Sequence, residues 1–341
     1  MLRIVAAGFA LSLLSCSASG GGGKATTAAV PSPPTPPSPG KPINIASRTP
    51  RADALSPARA WKHLEAQVAM GPRAHGSAGH AKLRGYLADH LRACGAEVRV
   101  QEFRHRGAED AEPRPFWNVM GRFNPDASSW VMLATHYDTR LWADEDPDPA
   151  VRARPIEGAN DGASGTAVLL EIATVLKDIP PGIGVEIVFF DGEDYGRNQR
   201  FEDYFLGSTA LAREWGAHFG ESRPECLVVL DMVGDADLAF RRETKSQAKS
   251  PWVNDLLWAT GAARGVKAFA VPGESPIFDD QDAFLEMGIP AALLIDYEYP
   301  WWHHQGDTAD KCSPESLAAT GRVVLAAMID RPVVRPVAAR R

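Results

Sequence analysis

The sequence predicts an α/β protein, a single three-layer domain in which helices cover both faces of a central, twisted, mostly parallel or mixed sheet. The first observation behind this prediction is that short apolar runs alternate along the chain with segments of helical spacing. The second is that several of these runs, among them WVMLAT, VEIVFF and CLVVL, are apolar almost throughout. Such runs are typical of strands that are buried on both faces of a sheet.

The predicted strands are short runs rich in β-branched, aromatic and aliphatic residues, bounded by polar or turn residues. In chain order they are Glu97–Phe103, Trp117–Phe123, Trp130–Thr135, Val185–Phe190, Cys226–Leu230 and Ala291–Ile295. The predicted helices carry apolar residues at three- and four-residue spacing. In chain order they are Ala58–Ala69, His80–Cys94, Thr166–Lys177, Gly207–Trp215, Pro251–Arg264 and Pro314–Ile329.

Composition excludes several classes of protein. The 341 residues include 36 basic and 43 acidic side chains, a formal net charge of −7, which argues against a nucleic-acid partner. After the N-terminus, no apolar stretch reaches the roughly 18 residues that a membrane-spanning helix needs. Four cysteines are too few and too scattered for a disulfide framework or a cysteine-rich zinc module. We expect Cys94, Cys226 and Cys312 to be small buried residues.

The N-terminal sequence MLRIVAAGFALSLLSC has the features of a secretory signal: Arg3, then an apolar stretch, then a small residue before Cys16. Its end resembles a bacterial lipobox, which implies cleavage before Cys16 and lipidation of the Cys16 thiol. The alternative is ordinary secretion, with Cys16 lost in the discarded peptide. Both place the mature protein outside the cytoplasm, secreted or in the cell envelope, with membrane contact only through a lipid anchor.

Four segments are therefore expected along the chain. Residues 1–16 form the signal peptide, and residues 17–50 form a Gly/Ser-rich and then Pro-rich tether that cannot bury enough apolar area to fold. Residues 51–335 form the catalytic domain, and residues 336–341 form a tail. We expect the protein to be a monomer.

Acidic and histidine residues follow four of the predicted strands. They are found in the segments His136-Tyr137-Asp138, Asp191-Gly192-Glu193-Asp194, Asp231 and Trp302-His303-His304. Because ligands of α/β sheets bind at the carboxyl ends of the strands, these side chains should converge with the loop GANDGASG, which contains Asp161. One polar strand end has a purely structural explanation, but four in one chain predict a functional site.

The residue types at this edge predict a zinc site. Carboxylate oxygens and imidazole nitrogens suit Zn²⁺, and three protein ligands with one open position are the catalytic arrangement. Asp161, Asp194 and His303 would supply these ligands from three different loops. Glu193, next to Asp194, would remain outside the ligand set and move a proton. Taken singly, Asp161 would be a turn residue and the Glu193-Asp194 pair a solvated strand end; only the ordered set predicts the metal.

Five motifs, taken in their order along the chain, resemble the zinc-dependent exopeptidase superfamily over about residues 55–330. They are HYD, GANDGASG, FFDGED, the strand-end LD and the late WH pair. This superfamily includes dizinc aminopeptidases and the animal-type glutaminyl cyclases. The aminopeptidase resemblance implies two zinc ions, Glu193 as the base, and a ligand set composed of His136, Asp161, Asp194, Asp231 and His303.

The glutaminyl cyclase resemblance implies one zinc ion, held by Asp161, Asp194 and His303. It also implies that Glu193 moves the proton, with support from Asp231 and Asp279. His136 is then a hydrogen-bonding neighbour and becomes a ligand only if a second metal binds.

Three features favour the cyclase branch. The segment Ile277-Phe278-Asp279-Asp280 resembles the double-acid segment of cyclases, and the stretch from Glu193 to Ser208 is long, as in cyclases. Trp302 directly precedes His303, and a tryptophan there would wall a narrow apolar pocket for a small amide side chain. If Asp279 and Asp231 share a proton, Asp231 becomes a poor ligand for a second metal.

The sequence also departs from the family pattern. Asp194 stands where most relatives carry Glu, and Thr135 and Thr166 occupy the places of the cysteine pair of animal cyclases. The loop Arg140–Ile156 is longer than in the animal enzymes.

Together these features predict a zinc enzyme, with one ion per chain, that converts N-terminal glutamine of peptides or proteins to pyroglutamate and releases ammonia. The alternative is a secreted zinc aminopeptidase with two ions, which hydrolyses N-terminal residues from peptides. A third hypothesis, a non-catalytic binding module, is disfavoured because every ligand position is filled.

Overall fold

A computed structural model describes residues 49–197 and 200–330 of the chain. Its strands are β1 (Glu97–His105), β2 (Arg114–Phe123), β3 (Trp130–His136), β4 (Gly184–Phe190), β5 (Leu227–Asp231), β6 (Arg242–Glu243), β7 (Glu274–Ser275) and β8 (Ala291–Ile295). The predicted signal peptide and tether lie outside the described residues, except that the structure includes the last two tether positions. The predicted tail also lies outside them.

Three helices of the described residues precede β1, and the others lie between or after the later strands. They are α1 (Pro50–Ala54), α2 (Pro57–Val68), α3 (Ala78–Ala93), α4 (Ala163–Asp178), α5 (Leu206–Arg213), α6 (Trp215–Phe219), α7 (Thr244–Lys249), α8 (Pro251–Ala263), α9 (Gln281–Glu286) and α10 (Pro314–Val324). Short 3₁₀ turns occupy Phe201–Asp203, Lys267–Ala270 and Ala309–Lys311, and a π turn at Leu325–Ile329 continues α10.

Six strands form one mixed sheet in the order β1-β2-β4-β3-β5-β8. The four strands β4, β3, β5 and β8 are parallel, whereas β2 runs antiparallel to β1 and to β4. Every residue of β3, β4, β5 and β8 is buried, as their apolar sequences predict. The carboxyl ends of these parallel strands meet at one edge, where His136 pairs with Phe190 and Asp231 with Ile295.

Both faces of the sheet are covered. Successive residues of β3 point to opposite sides, so Leu133 packs into the cluster under α2, α3, α4 and α10, and Met132 packs into the cluster under α5 and α9. Each fully buried leucine or methionine of these clusters contributes roughly 1.5–3 kcal/mol relative to an exposed one. The predicted three-layer α/β class is confirmed.

The structure differs from the prediction mainly in short elements. The predicted helix Gly207–Trp215 ends at Arg213, and α6 begins at Trp215 as a separate helix. The helices α1, α7 and α9 were not predicted because five or six residues are too few to show a helical period. Cys94, Cys226 and Cys312 are free and buried, as predicted. Within the described ranges, no helix has the length and apolarity that a membrane span requires.

Candidate metal centre and active site

Three buried side chains from separate loops meet at the carboxyl edge of the sheet. The structure brings ligand atoms of Asp161, Asp194 and His303 within 4.8 Å of one another. His303 Nε2 lies 3.2 Å from Asp194 Oδ1 and 3.7 Å from Asp161 Oδ2. These are the three residues that the sequence analysis proposed as ligands of one zinc ion.

The three residues fit a zinc ion. Asp161 Oδ2 and Asp194 Oδ2 are buried and have no hydrogen-bond partner among the described residues. Burying a carboxylate oxygen without a hydrogen bond is unfavourable, so these two oxygens favour the binding of a cation. Two carboxylates and one imidazole are three donors, and three protein donors with the fourth position left to water or substrate are the donor count of catalytic zinc sites.

Two predicted ligands differ in how readily they ionise. Burial, followed by repulsion from Asp194, raises the pKa of Asp161 to about 7. Burial also opposes ionisation of Asp194, but His303 and Arg140 outweigh it and lower the pKa of Asp194 to about 2. A cation between the two carboxylates would favour the ionised form of both.

The loop that carries Asp161 is held by a second carboxylate. Asp307 accepts hydrogen bonds from the backbone amides of Asn160 at 2.8 Å and Asp161 at 3.1 Å, and Tyr299 donates its hydroxyl to Asp307 at 2.8 Å. Gly158, which opens the loop, has a φ of +63°, a conformation that other residues rarely adopt. These contacts fix the backbone from which Asp161 projects.

Asp138 holds the adjacent residues Glu193 and Asp194. Its two carboxylate oxygens accept hydrogen bonds from the backbone amides of these two residues, each at 3.2 Å. Gly192, with a φ of +73°, allows the chain to turn sharply after β4. The turn therefore presents Asp194 to the ligand group and Glu193 beside it.

Glu193 is a buried carboxyl next to the ligand group. Burial, and then the charge of Asp194, raises its pKa well above the usual value. Its Oε2 atom lies 3.7 Å from Nδ1 of His136. A carboxyl group whose pKa is raised in this way holds a proton more readily, which suits a group that accepts a proton and returns it.

His136 lies between the carboxylates of this site. Its Nε2 atom is 3.0 Å from Asp231 Oδ1 and 3.3 Å from Asp161 Oδ1. Burial opposes protonation of His136, but the surrounding carboxylates, Glu193 first, outweigh it and raise its pKa well above the usual value. Ligand atoms of His136, Asp161 and Asp231 also lie within 4.8 Å of one another, so the residues of a second metal site are together.

Asp279 approaches the same group from the loop before α9. It is buried, and burial followed by the charge of Asp231 raises its pKa well above the usual value. This is the direction that a proton shared between Asp279 and Asp231 requires. The neighbouring Asp280 is fully buried, and burial raises its pKa to about 7.

Trp302 lies against the predicted ligand that follows it. Its ring is stacked on His303 with a centroid separation of 3.8 Å, and it packs against the apolar cluster under α9. His303 has a φ of +57°, in the left-handed region. Residues in this region are often found at functional sites, because the surrounding structure must hold them there.

Comparison with known proteins agrees with this geometry. A family model described as Peptidase family M28 matches residues 118–328. The chain belongs to peptidase family M28. The family resemblance inferred from the motifs is confirmed.

The relatives include both exopeptidases and cyclases. A glutaminyl-peptide cyclotransferase of Drosophila melanogaster is 28% identical, over 72% of this chain and 74% of that protein. The crystal structure of a Zn-dependent exopeptidase from Parabacteroides distasonis has a TM-score of 0.78 and 31% identity, over 81% of this chain and 99% of that chain. The structure of Bacteroides thetaiotaomicron glutaminyl cyclase bound to N-acetylhistamine has a TM-score of 0.76 and 31% identity, over 80% of this chain and 97% of that chain.

The sequence gives few signs of the residues that support the proposed ligands in this family M28 member. Asp138 lies in the HYD motif, and an acidic residue two positions after a strand-end histidine could have indicated a supporting role. Asp307 had no comparable signal, because it lies in a loop and acts on backbone amides of a distant segment. His304 is not part of any ligand group among the described residues.

Proposed function

We propose that the protein is a zinc-dependent glutaminyl-peptide cyclotransferase, which converts N-terminal glutamine of peptides or proteins to pyroglutamate and releases ammonia. The observation that carries this proposal is the buried pair Asp231 and Asp279 beside Glu193. Burial and the charge of Asp231 raise the pKa of Asp279, so this group holds a proton more tightly than an ordinary aspartate and can share it with Asp231. Asp231 is then engaged by a neighbour and is a poor ligand for a second ion. The similarity to proteins named as glutaminyl cyclases supports the same activity.

Asp161, Asp194 and His303 would hold one zinc ion per chain. When bound, zinc supplies Lewis acidity at the oxygen of the substrate γ-carboxamide. The similarity to a Zn-dependent exopeptidase supports the identity of the metal.

The chain's own residues would position the substrate and move one proton. The α-amine of the N-terminal glutamine attacks the carbonyl carbon of its own γ-carboxamide, from which ammonia then leaves, so the two reacting groups are already in one molecule. Asp231, backed by Asp279, holds the amine. Glu193 accepts a proton from the attacking amine and delivers it to the departing ammonia, and is unchanged at the end of the cycle.

Trp302 would close one side of the pocket. Its ring is stacked on His303 and is half-buried, so one apolar surface lies close to the predicted metal position. A flat carboxamide side chain can pack beside such a ring with its oxygen toward the metal, which suits glutamine as the N-terminal residue.

The test is a paired assay on the purified protein. A dipeptide with N-terminal glutamine and a chromogenic leucine amide are incubated separately, and zinc is quantified in the same preparation. The proposal expects ammonia and a pyroglutamyl product from the first, little product from the second, and about one zinc per chain. Free N-terminal residues together with about two zinc ions per chain would overturn it.

A second candidate is a zinc aminopeptidase. The observation that favours it is the second ligand group, His136, Asp161 and Asp231, which could hold another ion. In this case Glu193 would take a proton from water, and the peptide bond after the N-terminal residue would be hydrolysed.

The predicted location and partners belong to the same proposal. The mature protein acts outside the cytoplasm as a monomer, on N-termini of peptides or proteins, and contacts the membrane only through a lipid on Cys16. Replacing Cys16 with Ser tests the anchor: the protein should move from the membrane fraction to the soluble fraction and lose incorporation of labelled fatty acid. An unchanged distribution and unchanged labelling would contradict it.

A further inference from the structure

We propose that Asp144 is a positioning residue for His303, and that the loop Arg140–Ile156 holds Asp144 in place for this purpose. The inference rests on the proposed zinc site, because it concerns the tautomer and orientation of one of its ligands. Asp144 lies in the loop that is longer than in the animal enzymes, and no motif pointed to it.

The imidazole of His303 is contacted on both of its nitrogen atoms. Nε2 faces the other two proposed ligands, 3.2 Å from Asp194 Oδ1 and 3.7 Å from Asp161 Oδ2. Nδ1 lies 3.5 Å from Asp144 Oδ1, at the outer limit of a hydrogen bond. A histidine that binds a metal through Nε2 must carry its proton on Nδ1, and a carboxylate at Nδ1 selects that tautomer.

Asp144 is itself held by a buried arginine. Arg140 Nε donates to Asp144 Oδ1 at 3.0 Å, and Nη2 donates to Oδ2 at 2.6 Å, so both carboxylate oxygens are engaged. The same guanidinium donates to the carbonyl of Gly196 at 2.8 Å and to the hydroxyl of Tyr204 at 2.9 Å. With only 1% of its surface exposed, Arg140 gives Asp144 little freedom to move away from His303.

The loop also binds the turn that carries His303. The backbone amide of Gln305 donates to Asp146 at 2.9 Å, and the Gln305 side chain donates to the carbonyl of Pro155 at 3.0 Å. His303 has a φ of +57°, which a non-glycine residue keeps only when its surroundings impose it. The contact of Asp144 with His303 and the contacts of Asp146 and Pro155 with Gln305 provide this restraint.

The competing explanation is that Asp144 only neutralises the buried charge of Arg140. Zinc affinity separates the two explanations, because it depends on the orientation of His303 and requires no substrate. We would measure the zinc dissociation constant of the full chain by competition with a coloured chelator. The variants are Asp144→Asn, His303→Ala and, as a matched control, Glu145→Gln on the exposed neighbouring position.

The proposal expects zinc binding by Asp144→Asn to be about 10- to 100-fold weaker than wild type, the range seen when a partner of a metal-binding histidine is lost. Glu145→Gln should bind as wild type does. Wild-type affinity in Asp144→Asn, with clear weakening in His303→Ala, would overturn this inference alone. If His303→Ala also binds zinc normally, the zinc site of the proposed function fails instead.

A second measurement covers the case in which Asp144→Asn does not fold. In the ¹⁵N spectrum of the zinc-loaded wild-type protein, the signals of His303 are identified by their loss in His303→Ala. The proposal requires the proton on Nδ1 and the metal on Nε2. A His303 that carries its proton on Nε2 would overturn the proposal without any variant of Asp144.

Discussion

Nε2 of His136 lies 3.0 Å from Oδ1 of Asp231, and this contact separates the two candidate mechanisms. In a one-zinc enzyme the contact is a hydrogen bond, by which the histidine holds Asp231 toward the substrate amine. In a two-zinc enzyme both atoms would instead be ligands of the second ion. Loss of the His136 side chain would therefore lower the zinc content of a two-zinc enzyme but leave that of a one-zinc enzyme unchanged.

We expect His136→Ala to retain about one zinc per chain, the same content as wild type. Its kcat/KM for a glutamine-leading peptide should fall about tenfold or more, because Asp231 loses the partner that orients it. Zinc is measured by atomic absorption after desalting. His218→Ala, on α6, serves as a control outside the site. A wild-type content of two ions that drops to one in His136→Ala would support the aminopeptidase instead.

Replacement of Glu193 by Gln removes the proposed proton carrier and keeps the shape of the side chain. We expect kcat to fall about 10²- to 10⁴-fold, the usual contribution of a general acid–base group, while zinc content stays the same. The assay follows ammonia release, with Glu145→Gln as the control for an exposed glutamate. Unchanged activity in Glu193→Gln would count against both the cyclase and the aminopeptidase mechanism.

The sequence predicts those parts of the fold and of the candidate site that depend on patterns among neighbouring residues. The strands β3, β4, β5 and β8 are buried on both faces, so most of their residues are apolar, and the buried Glu186 of β4 is paired with Arg99. The polar side chains at and after the strand ends mark the edge of the sheet. Asp161 and His303 could be named because each lies in a motif tied to such a strand end or its following loop.

The supporting residues depend on contacts between distant segments. Asp307 binds the amide of Asn160, which is 147 positions away, and Asp144 faces His303 from a loop without any periodic pattern. No short-range rule connects such residues to the ligands they support. The short helices α7 and α9 were missed for a different reason, because six residues are too few to show a helical period.

A pH-dependent contribution to stability is expected from Asp296, which follows β8. Burial raises its pKa to about 6, above the value of about 3.9 in an unfolded chain. The folded state therefore binds the proton more tightly. The resulting stabilisation is fully present below about pH 4 and is lost as the pH rises through about 6.

Asp296→Asn cannot titrate, so it should lack this dependence. Between pH 4 and pH 7, we expect the free energy of unfolding of wild type to fall by about 1–2 kcal/mol relative to the variant, after allowance for partial solvent screening. Urea unfolding is measured with a chelator present throughout, so that zinc release does not contribute. Asp126→Asn, at an exposed turn, is the control. A difference that stays constant, or grows in the opposite direction, would contradict the assignment.

Replacing Gly158, with Gly85 on α3 as the control, tests how strongly the conformation of the Asp161 loop depends on glycine. Gly158 has a φ of +63°, and an added Cβ would lie 2.5 Å from the carbonyl oxygen of Asp161 and would also clash with Thr139. Gly158→Ala should therefore destabilise the fold by roughly 1–3 kcal/mol and weaken zinc binding, because the loop must move to accept the methyl group.

Gly85→Ala, on the exposed side of α3 with no atom within 4 Å of the added Cβ, should instead stabilise the protein by about 0.5–1 kcal/mol. Urea unfolding and chelator competition on both variants measure the two effects. Equal stability and equal zinc affinity in the two variants would show that the loop does not need the conformation of Gly158 to place Asp161.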